Sequence, residues 1–263
     1  MRADKYFAEK FGSRTKSAEA IEKGLVLVNG RTIKPKEEIK EGDDILFLEA
    51  PERFVSNGGY KLSRALKTFS LTCENKTFVD IGASTGGFTD CLLQNGAKKV
   101  YAVDVGESLL DPFIASNPAV VVMDNTNARY VTKKDFLEKI DAVVTDVSFI
   151  SLRLIFPVIA DILDETGYAV VLIKPQFECD KKSLGKSGIV APVNHAEIVK
   201  RVLGYAEENE LYPFGLINAP VRKGKNIEYV LFVKKTTNGS IRKEDIITLV
   251  KKLVKENSEG VLE

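Results

Sequence analysis

Seven short apolar runs, most of them separated by helical patterns, occupy the chain from residue 77 onward. Runs of this length that alternate with helices predict a parallel sheet covered by helices on both faces. The last two runs are joined by the short loop PVRKGKN, which has no room for a crossover helix, so we expect these strands to pair antiparallel. The predicted strands are TFVDIG, KVYAVDV, AVVVMD, DAVVTDV, YAVVLIKP, LYPFGLINA and IEYVLFVKK, which start at Thr77, Lys99, Ala119, Asp141, Tyr168, Leu211 and Ile227.

The first half-hundred residues have a different pattern, which predicts a separate small α+β domain. Phe7 and Phe11 lie one helical turn apart, and a second helical pattern spans 17–23 and stops at Gly24. LVLVNGRTIK alternates apolar residues around Asn29-Gly30, which suits a type I′ hairpin, and EGDDILFL predicts one further strand. We therefore expect an N-terminal domain over 1–49, a linker over 50–58 and a second domain over 59–263, with helices at 60–69, 149–167 and 194–209.

Charge is nearly balanced over the whole chain, with a formal net charge of +1, but it is unevenly distributed. Between Met1 and Lys36 there are nine Lys and Arg residues and four acidic residues, whereas 37–60 has two basic and seven acidic residues. A sign change of this kind gives one face a positive field although the sum is near zero. The N-terminal domain is therefore a candidate for binding a polyanion.

Several classes of protein are disfavoured by composition. No stretch approaches the roughly 18 consecutive apolar residues of a membrane helix, and the charged N-terminus lacks the apolar core of a signal peptide, so we expect a cytoplasmic protein. Cys73, Cys91 and Cys179 have no CxxC spacing and an odd count, which argues against a disulfide framework or a zinc site. We expect structural thiols at these positions and no bound metal.

The sequence RADKYFAEKFGSRTKSAEAIEKGLVLVNG, which covers much of the N-terminal domain, resembles the S4 family of RNA-binding domains. The resemblance rests on the RADKYFA opening, the SRTKSAEAIEKG helix and the VLVNG hairpin. In that family the basic second helix and the hairpin contact the RNA backbone. The resemblance implies phosphate contacts, and the alternative is a solvated basic face. The residues concerned are Arg14, Lys16, Lys23, Arg31 and Lys34.

The loop after the first strand of the large sheet, DIGASTGGFTD, predicts a ligand site. Doubly wound sheets bind ligands at the carboxyl ends of their strands, and Gly82, Gly86 and Gly87 lack a Cβ, so a ligand can approach the backbone closely. The loop does not match G-x-x-x-x-G-K-[ST], which excludes an ATP-binding P-loop. Its spacing from Gly82 is G-x-x-x-G-G rather than G-x-G-x-x-G, which disfavours a dinucleotide.

Acidic residues end the next two predicted strands. Asp104 lies about twenty residues after the loop, where a carboxylate accepts hydrogen bonds from ribose hydroxyls, and Asp124 would reach the exocyclic amine of an adenine. Loop and acids together describe an adenosine site that fits S-adenosylmethionine, whereas the alternative is that both acids merely cap helices. The predicted cofactor-binding residues are Asp80, Gly82, Ala83, Ser84, Gly86, Gly87, Phe88, Asp104, Asp124 and Asp146.

Four charged residues, Lys61, Asp146, Lys174 and Glu228, lie where a reacting group would sit, and the last three border apolar runs. Charges in such surroundings are costly unless they are paired, so we expect the two lysines and two carboxylates to converge. The set resembles the Lys-Asp-Lys-Glu tetrad of the FtsJ-like ribose 2′-O-methyltransferases. From 2 to about 235 the whole chain resembles the TlyA-type, or haemolysin-A-like, rRNA methyltransferases, on the motifs VSNGGYKL, DIGASTGGFTD, VDVG, TDVSFISL, LIKPQFE, GIVAPVNH and GKNIEYVLF.

This resemblance implies a seven-stranded Rossmann-like sheet and S-adenosylmethionine-dependent methylation of a ribose 2′-hydroxyl, on cytidine, in ribosomal RNA or ribosomal subunits. A ribose hydroxyl is a poor nucleophile at neutral pH and needs a positioned base. Burial and the neighbouring cation of Lys61 would favour the unprotonated form of Lys174 for that role. Asp146 would orient Lys174 and face the methyl donor, and Glu228 would balance charge and hold either Lys61 or the ribose.

Three other interpretations are compatible with the same residues. The tetrad would be a salt-bridge network without catalysis, the chain would be a non-catalytic RNA-binding or ribosome-associated protein that keeps the fold, or it would be a nicotinamide-dependent oxidoreductase. His195, the single histidine, lies where a helix should begin and is expected to be a cap or a surface residue rather than a base. The basic, glycine-containing segment 176–190 is expected to be a mobile loop over the acceptor site.

Overall fold

The structure of the chain is a computed structural model, and it describes residues 1–22, 24–47, 54–180, 183–185, 187–220 and 224–258. The chain divides by its internal contacts into two compact units, Met1–Arg53 and Phe54–Glu263. Lys23, one of the predicted RNA contacts, lies outside the described residues, as do residues 48–53 around the predicted start of the linker.

Two short helices and a small antiparallel sheet form the first unit. Its elements are α1 (Ala3–Tyr6), α2 (Arg14–Glu22), β1 (Val26–Val28), β2 (Arg31–Thr32) and β3 (Ile45–Phe47), with strand order β2-β1-β3. Asn29 (φ 51°) and Gly30 (φ 75°) turn the hairpin, so the prediction of positive φ at both central positions is confirmed. The predicted helix through Phe7 and Phe11 was too long, because α1 ends at Tyr6, although both rings pack in the core of this unit.

A seven-stranded sheet with helices on both faces forms the second unit. Its elements are α3 (Asn57–Thr68), β4 (Thr77–Ile81), α4 (Gly87–Gln94), β5 (Lys99–Val103), α5 (Pro112–Ala115), β6 (Val120–Met123), β7 (Ile140–Thr145), α6 (Phe156–Ile162), β8 (Leu163–Ile173), α7 (Pro175–Glu178), α8 (His195–Glu207), β9 (Tyr212–Asn218), β10 (Tyr229–Lys234) and α9 (Lys243–Ser258). Short 3₁₀ helices span Ala128–Tyr130, Lys133–Asp135, Leu152–Leu154 and Pro192–Asn194. The strand order is β6-β5-β4-β7-β8-β10-β9, and β10 runs antiparallel to both neighbours, which confirms the predicted sheet with a reversed last strand.

Burial on both faces explains why the strands are almost continuously apolar. Along β4, Val79 and Ile81 pack in the cluster that includes α6, α8 and α9, whereas Phe78 packs in the cluster that includes α3 and α4. All five residues of β4 are buried. A strand of this kind has no solvent face to carry polar side chains, as expected for a parallel sheet between two helical layers.

The predicted helix over 149–167 was wrong at both ends. α6 covers only Phe156–Ile162, and β8 begins at Leu163 rather than at Tyr168. Leu163 pairs with Ile140 of β7 and is buried, so strand pairing determines the structure of residues whose spacing alone suits a helix. The C-terminal helix α9, which was not predicted, packs on the core through Ile246 and Val250.

Alanine substitution of two helix glycines is expected to change the free energy of unfolding in opposite directions. A Cβ on Gly59 in α3 would lie 2.2 Å from Cγ of the buried Phe54, whereas among the described residues a Cβ on Gly204 in α8 would meet nothing within 4 Å beyond its own helix. We expect Gly59→Ala to lower the free energy of unfolding by about 1–3 kcal/mol through overpacking, and Gly204→Ala to raise it by up to about 1 kcal/mol through helix propensity. Urea unfolding measures both, and equal stability of the two variants would contradict the packing argument.

Candidate active site

The loop between β4 and α4 is shaped by three residues with positive φ. Gly82 (φ 81°), Ser84 (φ 48°) and Gly86 (φ 91°) adopt the left-handed conformation, which glycine takes without strain. A Cβ on Gly82 would lie 3.1 Å from Cγ1 of Val147 and 3.3 Å from the carbonyl oxygen of Asp146. Glycine at this position therefore lets the loop approach the end of β7 closely.

Two adjoining cavities lie at the carboxyl ends of the parallel strands. The larger has a volume of ≈ 640 Å³ and is lined by the segments that follow β4, β5, β6 and β7. This volume falls within the range of about 300–1,000 Å³ that is typical of small-molecule and cofactor sites. The smaller cavity, of ≈ 170 Å³, shares Gly82, Ser84, Asp146 and Ser148 with the larger one, so the two form one continuous site.

Most of the predicted cofactor residues line this site. Those that line one or both cavities are Gly82, Ala83, Ser84, Gly87, Phe88, Asp104 and Asp146. Gly86 shapes the loop instead, since a Cβ there would lie 2.8 Å from Cδ1 of Leu110, and Asp80 is fully buried in β4. Asp124 lines neither of these two cavities, and its Oδ2 accepts a hydrogen bond from the N–H of Ser108 at 2.9 Å.

Asp104, at the end of β5, stabilises two backbone turns by accepting hydrogen bonds from them. Its Oδ2 accepts a hydrogen bond from the N–H of Ser84 at 2.8 Å, and its Oδ1 accepts one from the N–H of Gly106 at 2.9 Å. Neither donor belongs to a helix, so the alternative that Asp104 caps a helix was wrong. Each carboxylate oxygen has a further lone pair, so Asp104 can hold these turns and still accept hydrogen bonds from a ligand.

Lys61, Asp146, Lys174 and Glu228 converge beside the smaller cavity, which Asp146 and Lys174 line. Nζ of Lys61 lies 3.3 Å from Oδ2 of Asp146 and 2.7 Å from Oε2 of Glu228. Nζ of Lys174 lies 2.6 Å from Oδ1 of Asp146. The charges therefore alternate in the order Glu228, Lys61, Asp146 and Lys174. The side chains are only 10% to 21% exposed, so each charge depends on its neighbours for compensation.

Ser148 is a candidate that the sequence analysis missed. Nζ of Lys174 donates a hydrogen bond to its Oγ at 2.7 Å, and Ser148 lines both cavities. Its position two residues after Asp146 does not by itself indicate a role, so only the geometry distinguishes it. Phe149, the next residue, has a positive φ of 63°. The centroid of its ring lies 4.9 Å from the ring centroid of Phe177.

Glu178, also missed, joins the segment after β8 to the segment after β7. Its carboxylate accepts hydrogen bonds from Oγ of Ser151 and from the N–H of Leu152, both at 2.7 Å. Burial raises the pKa of Glu178, and these two hydrogen bonds act in the opposite direction. Because Ser151 lines the larger cavity, Glu178 connects the cavity wall to the chain that follows Lys174.

His195 is buried, so its predicted role as a cap or surface residue was wrong. Its Nδ1 lies 2.9 Å from the hydroxyl of Tyr229, its Nε2 lies 3.4 Å from the carbonyl oxygen of Val190, and burial lowers its pKa.

The predicted mobile segment 176–190 is anchored near its end, where Asn226 accepts a hydrogen bond from the N–H of Val190 at 2.7 Å and donates one to the carbonyl of Gly188 at 2.9 Å. Residues 181, 182 and 186 of that segment lie outside the described residues.

The predicted RNA contacts belong to the first unit, and those within the described ranges are exposed: Arg14, Lys16, Arg31 and Lys34. Asp4, which is buried, accepts a hydrogen bond from Nε of Arg14 at 3.1 Å. Glu37 accepts one from Nη1 of Arg31 at 3.0 Å and another from the backbone N–H of Lys34 at 2.7 Å. Acidic partners therefore hold Arg14 and Arg31 in defined positions while leaving them accessible.

Neither a metal-binding group nor a membrane-spanning helix is found in the parts of the chain that the structure describes. They contain no group of three or more His, Cys, Asp or Glu side chains that could hold a metal ion. None of the helices in the described parts of the chain has the length and apolarity needed to cross a membrane. Cys73, Cys91 and Cys179 form no disulfide with one another, and burial raises the pKa of Cys73 to about 11, as expected of an inert structural thiol.

Asp80 is the carboxyl group whose ionisation the fold opposes most clearly. It is fully buried in β4 and accepts a hydrogen bond from Oγ1 of Thr89 at 2.7 Å. Its other oxygen, Oδ1, has no hydrogen-bond partner within the described part of the chain. Burial raises the pKa of Asp80 to about 7, the bond from Thr89 acts against this, and the charge of Asp146 adds to it.

Comparison with known proteins identifies similar families and chains. The FtsJ-like methyltransferase family matches residues 54–235, and the S4 domain matches residues 1–45. A Bacillus subtilis protein provisionally named rRNA methyltransferase YqxC is 41% identical over 262 residues, which cover 95% of this chain and 93% of that protein. The 16S/23S rRNA (cytidine-2′-O)-methyltransferase TlyA of Mycobacterium tuberculosis is 34% identical over 248 residues, 93% of this chain and 92% of its own. A solved structure from Streptococcus thermophilus, named as a candidate hemolysin, has a TM-score of 0.73 at 37% identity and covers 98% of both chains.

Replacing Asp80 with asparagine is expected to change how stability depends on pH. The pKa in the folded protein, about 7, exceeds the ordinary value of 3.8, so this group destabilises the wild type increasingly as pH rises from about 4 to about 7. Asparagine carries no charge, so the unfolding free energy of Asp80→Asn relative to wild type should increase by about 2–3 kcal/mol between about pH 5 and about pH 8. Urea unfolding without cofactor measures this difference, and an equal difference at both pH values would show that Asp80 is not the cause.

Proposed function

The chain belongs to the FtsJ-like methyltransferase family, and we propose that it transfers a methyl group from S-adenosylmethionine to the 2′-hydroxyl of cytidine ribose in ribosomal RNA. The observation that carries this proposal is that a cavity of cofactor size, ≈ 640 Å³, adjoins a smaller cavity lined by Asp146 and Lys174, two members of the charged cluster that Lys61 and Glu228 complete. The S4 domain at the N-terminus and the named activity of the TlyA relative support an rRNA substrate. An rRNA substrate also leads us to expect the protein in the cytoplasm.

S-adenosylmethionine is the cofactor, and the residues at the carboxyl edge of the sheet fit it. The loop glycines let the loop pack closely on its neighbours, since a Cβ on Gly82 would lie 3.1 Å from Cγ1 of Val147, and the larger cavity, of ≈ 640 Å³, is of cofactor size. Asp104 would accept hydrogen bonds from the ribose hydroxyls, and the assignment of Asp124 to the adenine stays a prediction. When bound, the cofactor supplies a methyl group on a positively charged sulfur. This sulfur is a good leaving group, because it departs as a neutral thioether.

The charged residues are proposed to act on the acceptor hydroxyl. Lys174, in its neutral amine form, would take the hydroxyl proton, since it lines the smaller cavity and is the least exposed of the four. Asp146 contacts both lysines and would hold Lys174 in place. Lys61 bridges Asp146 and Glu228 and would keep the two carboxylates from repelling each other. Alignment of reactants at such a site contributes on the order of 7–11 kcal/mol to lowering the barrier.

The first unit is proposed to bind RNA through its basic residues. Arg14, Lys16, Arg31 and Lys34 are exposed, and Lys23 completes the predicted set. Each contact with a phosphate would release counterions, so binding would weaken as the salt concentration rises. This surface would supply sequence-independent affinity, while the reaction itself takes place in the second unit.

A test of the proposed base is Lys174→Ala. Incubation of labelled S-adenosylmethionine with undermethylated rRNA or ribosomal subunits, followed by detection of ribose methyl groups, measures transfer. We expect a loss of roughly 10²–10⁴-fold in turnover, as for removal of a general base, with cofactor binding retained. Lys67→Ala, at an exposed lysine of α3 that lines neither cavity, serves as the matched control. Unchanged turnover in Lys174→Ala would remove this lysine from the mechanism.

A test of the cofactor site is Asp104→Ala, measured by calorimetry with S-adenosylmethionine. The variant loses a charged acceptor and also releases the turns at Ser84 and Gly106, so we expect affinity to fall by about 10- to 100-fold. NADH is the comparison ligand and is expected to bind neither protein, because the loop lacks the dinucleotide spacing. Undiminished affinity of Asp104→Ala would place the adenosine elsewhere.

A further inference from the structure

Ser148 lies beside the tetrad and contacts its least exposed lysine. It is the second residue after Asp146, in the segment that follows β7, and it lines both cavities. Nζ of Lys174 lies 2.7 Å from Oγ of Ser148 and 2.6 Å from Oδ1 of Asp146. Ser148 therefore accepts a hydrogen bond from this lysine nitrogen, and Asp146 forms an ion pair with it.

The hydrogen bond between Lys174 and Ser148 matters because of the number of N–H groups on the lysine nitrogen. A lysine ammonium has three N–H groups and no acceptor. With only one acceptor, the group would rotate about the Nζ···O axis, and its remaining N–H groups would point in no fixed direction. The hydrogen bond to Oγ of Ser148 fixes the direction of one N–H group, and the ion pair with Oδ1 of Asp146 keeps the nitrogen beside the carboxylate and so limits rotation about that bond.

The same geometry applies to the amine that the reaction requires. A neutral amine keeps two N–H groups and has one lone pair. When one N–H group stays on Oγ of Ser148, the lone pair and the other N–H group are confined to the two remaining tetrahedral directions. A general base needs a lone pair whose direction is restricted, because proton transfer depends on alignment with the hydroxyl.

We propose that Ser148 is a positioning residue for methyl transfer, which acts by orienting the lone pair of Lys174 toward the acceptor hydroxyl. The inference rests on the proposed function. In this step the hydroxyl proton moves to the lone pair of Lys174, which becomes an ammonium. The electron pair left on the ribose oxygen forms the new bond to the methyl carbon, and the electrons of the broken carbon–sulfur bond stay on sulfur. Ser148 itself neither gains nor loses a proton.

An aromatic contact holds the two segments that meet at this hydrogen bond. Phe149 follows Ser148, Phe177 lies three residues after Lys174, and their rings pack with centroids 4.9 Å apart. Phe149 has a φ of 63°, a conformation that costs a bulky residue on the order of 1–3 kcal/mol, and it is 91% exposed. The contact with Phe177 therefore links the two segments that bring Ser148 to Lys174.

The experiment compares Ser148→Ala and Ser148→Thr with wild type in the rRNA methylation assay, using the full chain. Ser148 is exposed, so the additional methyl group of threonine has room while the hydroxyl is kept. We expect Ser148→Ala to lower kcat by about 10- to 100-fold, with KM for RNA and Kd for S-adenosylmethionine within about twofold of wild type. Ser148→Thr should recover most of kcat. Ser63→Ala, at a serine that lines neither cavity, is the matched control.

The outcomes separate this inference from the function on which it rests. An unchanged kcat in Ser148→Ala, or a loss expressed only in KM or Kd, overturns the positioning role and leaves methyl transfer in place. An equal loss in the alanine and threonine variants overturns the role of the hydroxyl. A wild-type protein that binds the cofactor and transfers no methyl group to rRNA removes the proposed function, and this inference with it.

Discussion

The pairing of two ammonium and two carboxylate groups at one edge of the sheet is the interaction on which the site depends. Removing any one partner would leave an unpaired charge among side chains that are at most 21% exposed, which is far more costly than the pairs are stabilising. The pairing also explains why such a cluster persists: the total charge is zero, and Asp146 contacts both lysines.

The reversed last strand is what allows residues from distant parts of the chain to meet there. Asp146 and Lys174 follow β7 and β8, whose carboxyl ends lie at this edge. Because β10 runs antiparallel to β8, its beginning lies at the same edge, so Glu228 contributes by preceding its strand rather than following it. Tyr229 pairs with Ile173, which places Glu228 opposite the strand end that carries Lys174. Topology therefore brings the acidic and basic partners together without a dedicated loop.

Much of this could be predicted from sequence, because the sheet is buried on both faces and its strands are unmistakably apolar. The same reasoning located Asp146 and Lys174, since charges that border apolar runs must find partners. It failed at Leu163, where pairing with Ile140 overrides helical spacing, because that pairing is a tertiary contact. It failed again at His195, whose position at the start of a helix says nothing about the Tyr229 hydroxyl that it meets. The role of Ser148 could not be predicted for the same reason, because its hydrogen bond with Lys174 is also a tertiary contact.

The strand-end acids show how one residue can serve both the fold and a ligand. The loop after β4 donates the N–H of Ser84 to Asp104 at the end of β5, and the loop after β5 donates the N–H of Ser108 to Asp124 after β6. Both serines have positive φ, a strain that the charge-assisted hydrogen bond helps to offset. Each acid therefore fixes the loop of the preceding strand, and Asp104, which lines the larger cavity, keeps further lone pairs for the proposed cofactor. On this basis the acids are conformational anchors first, and the cofactor would bind to a loop that is already shaped.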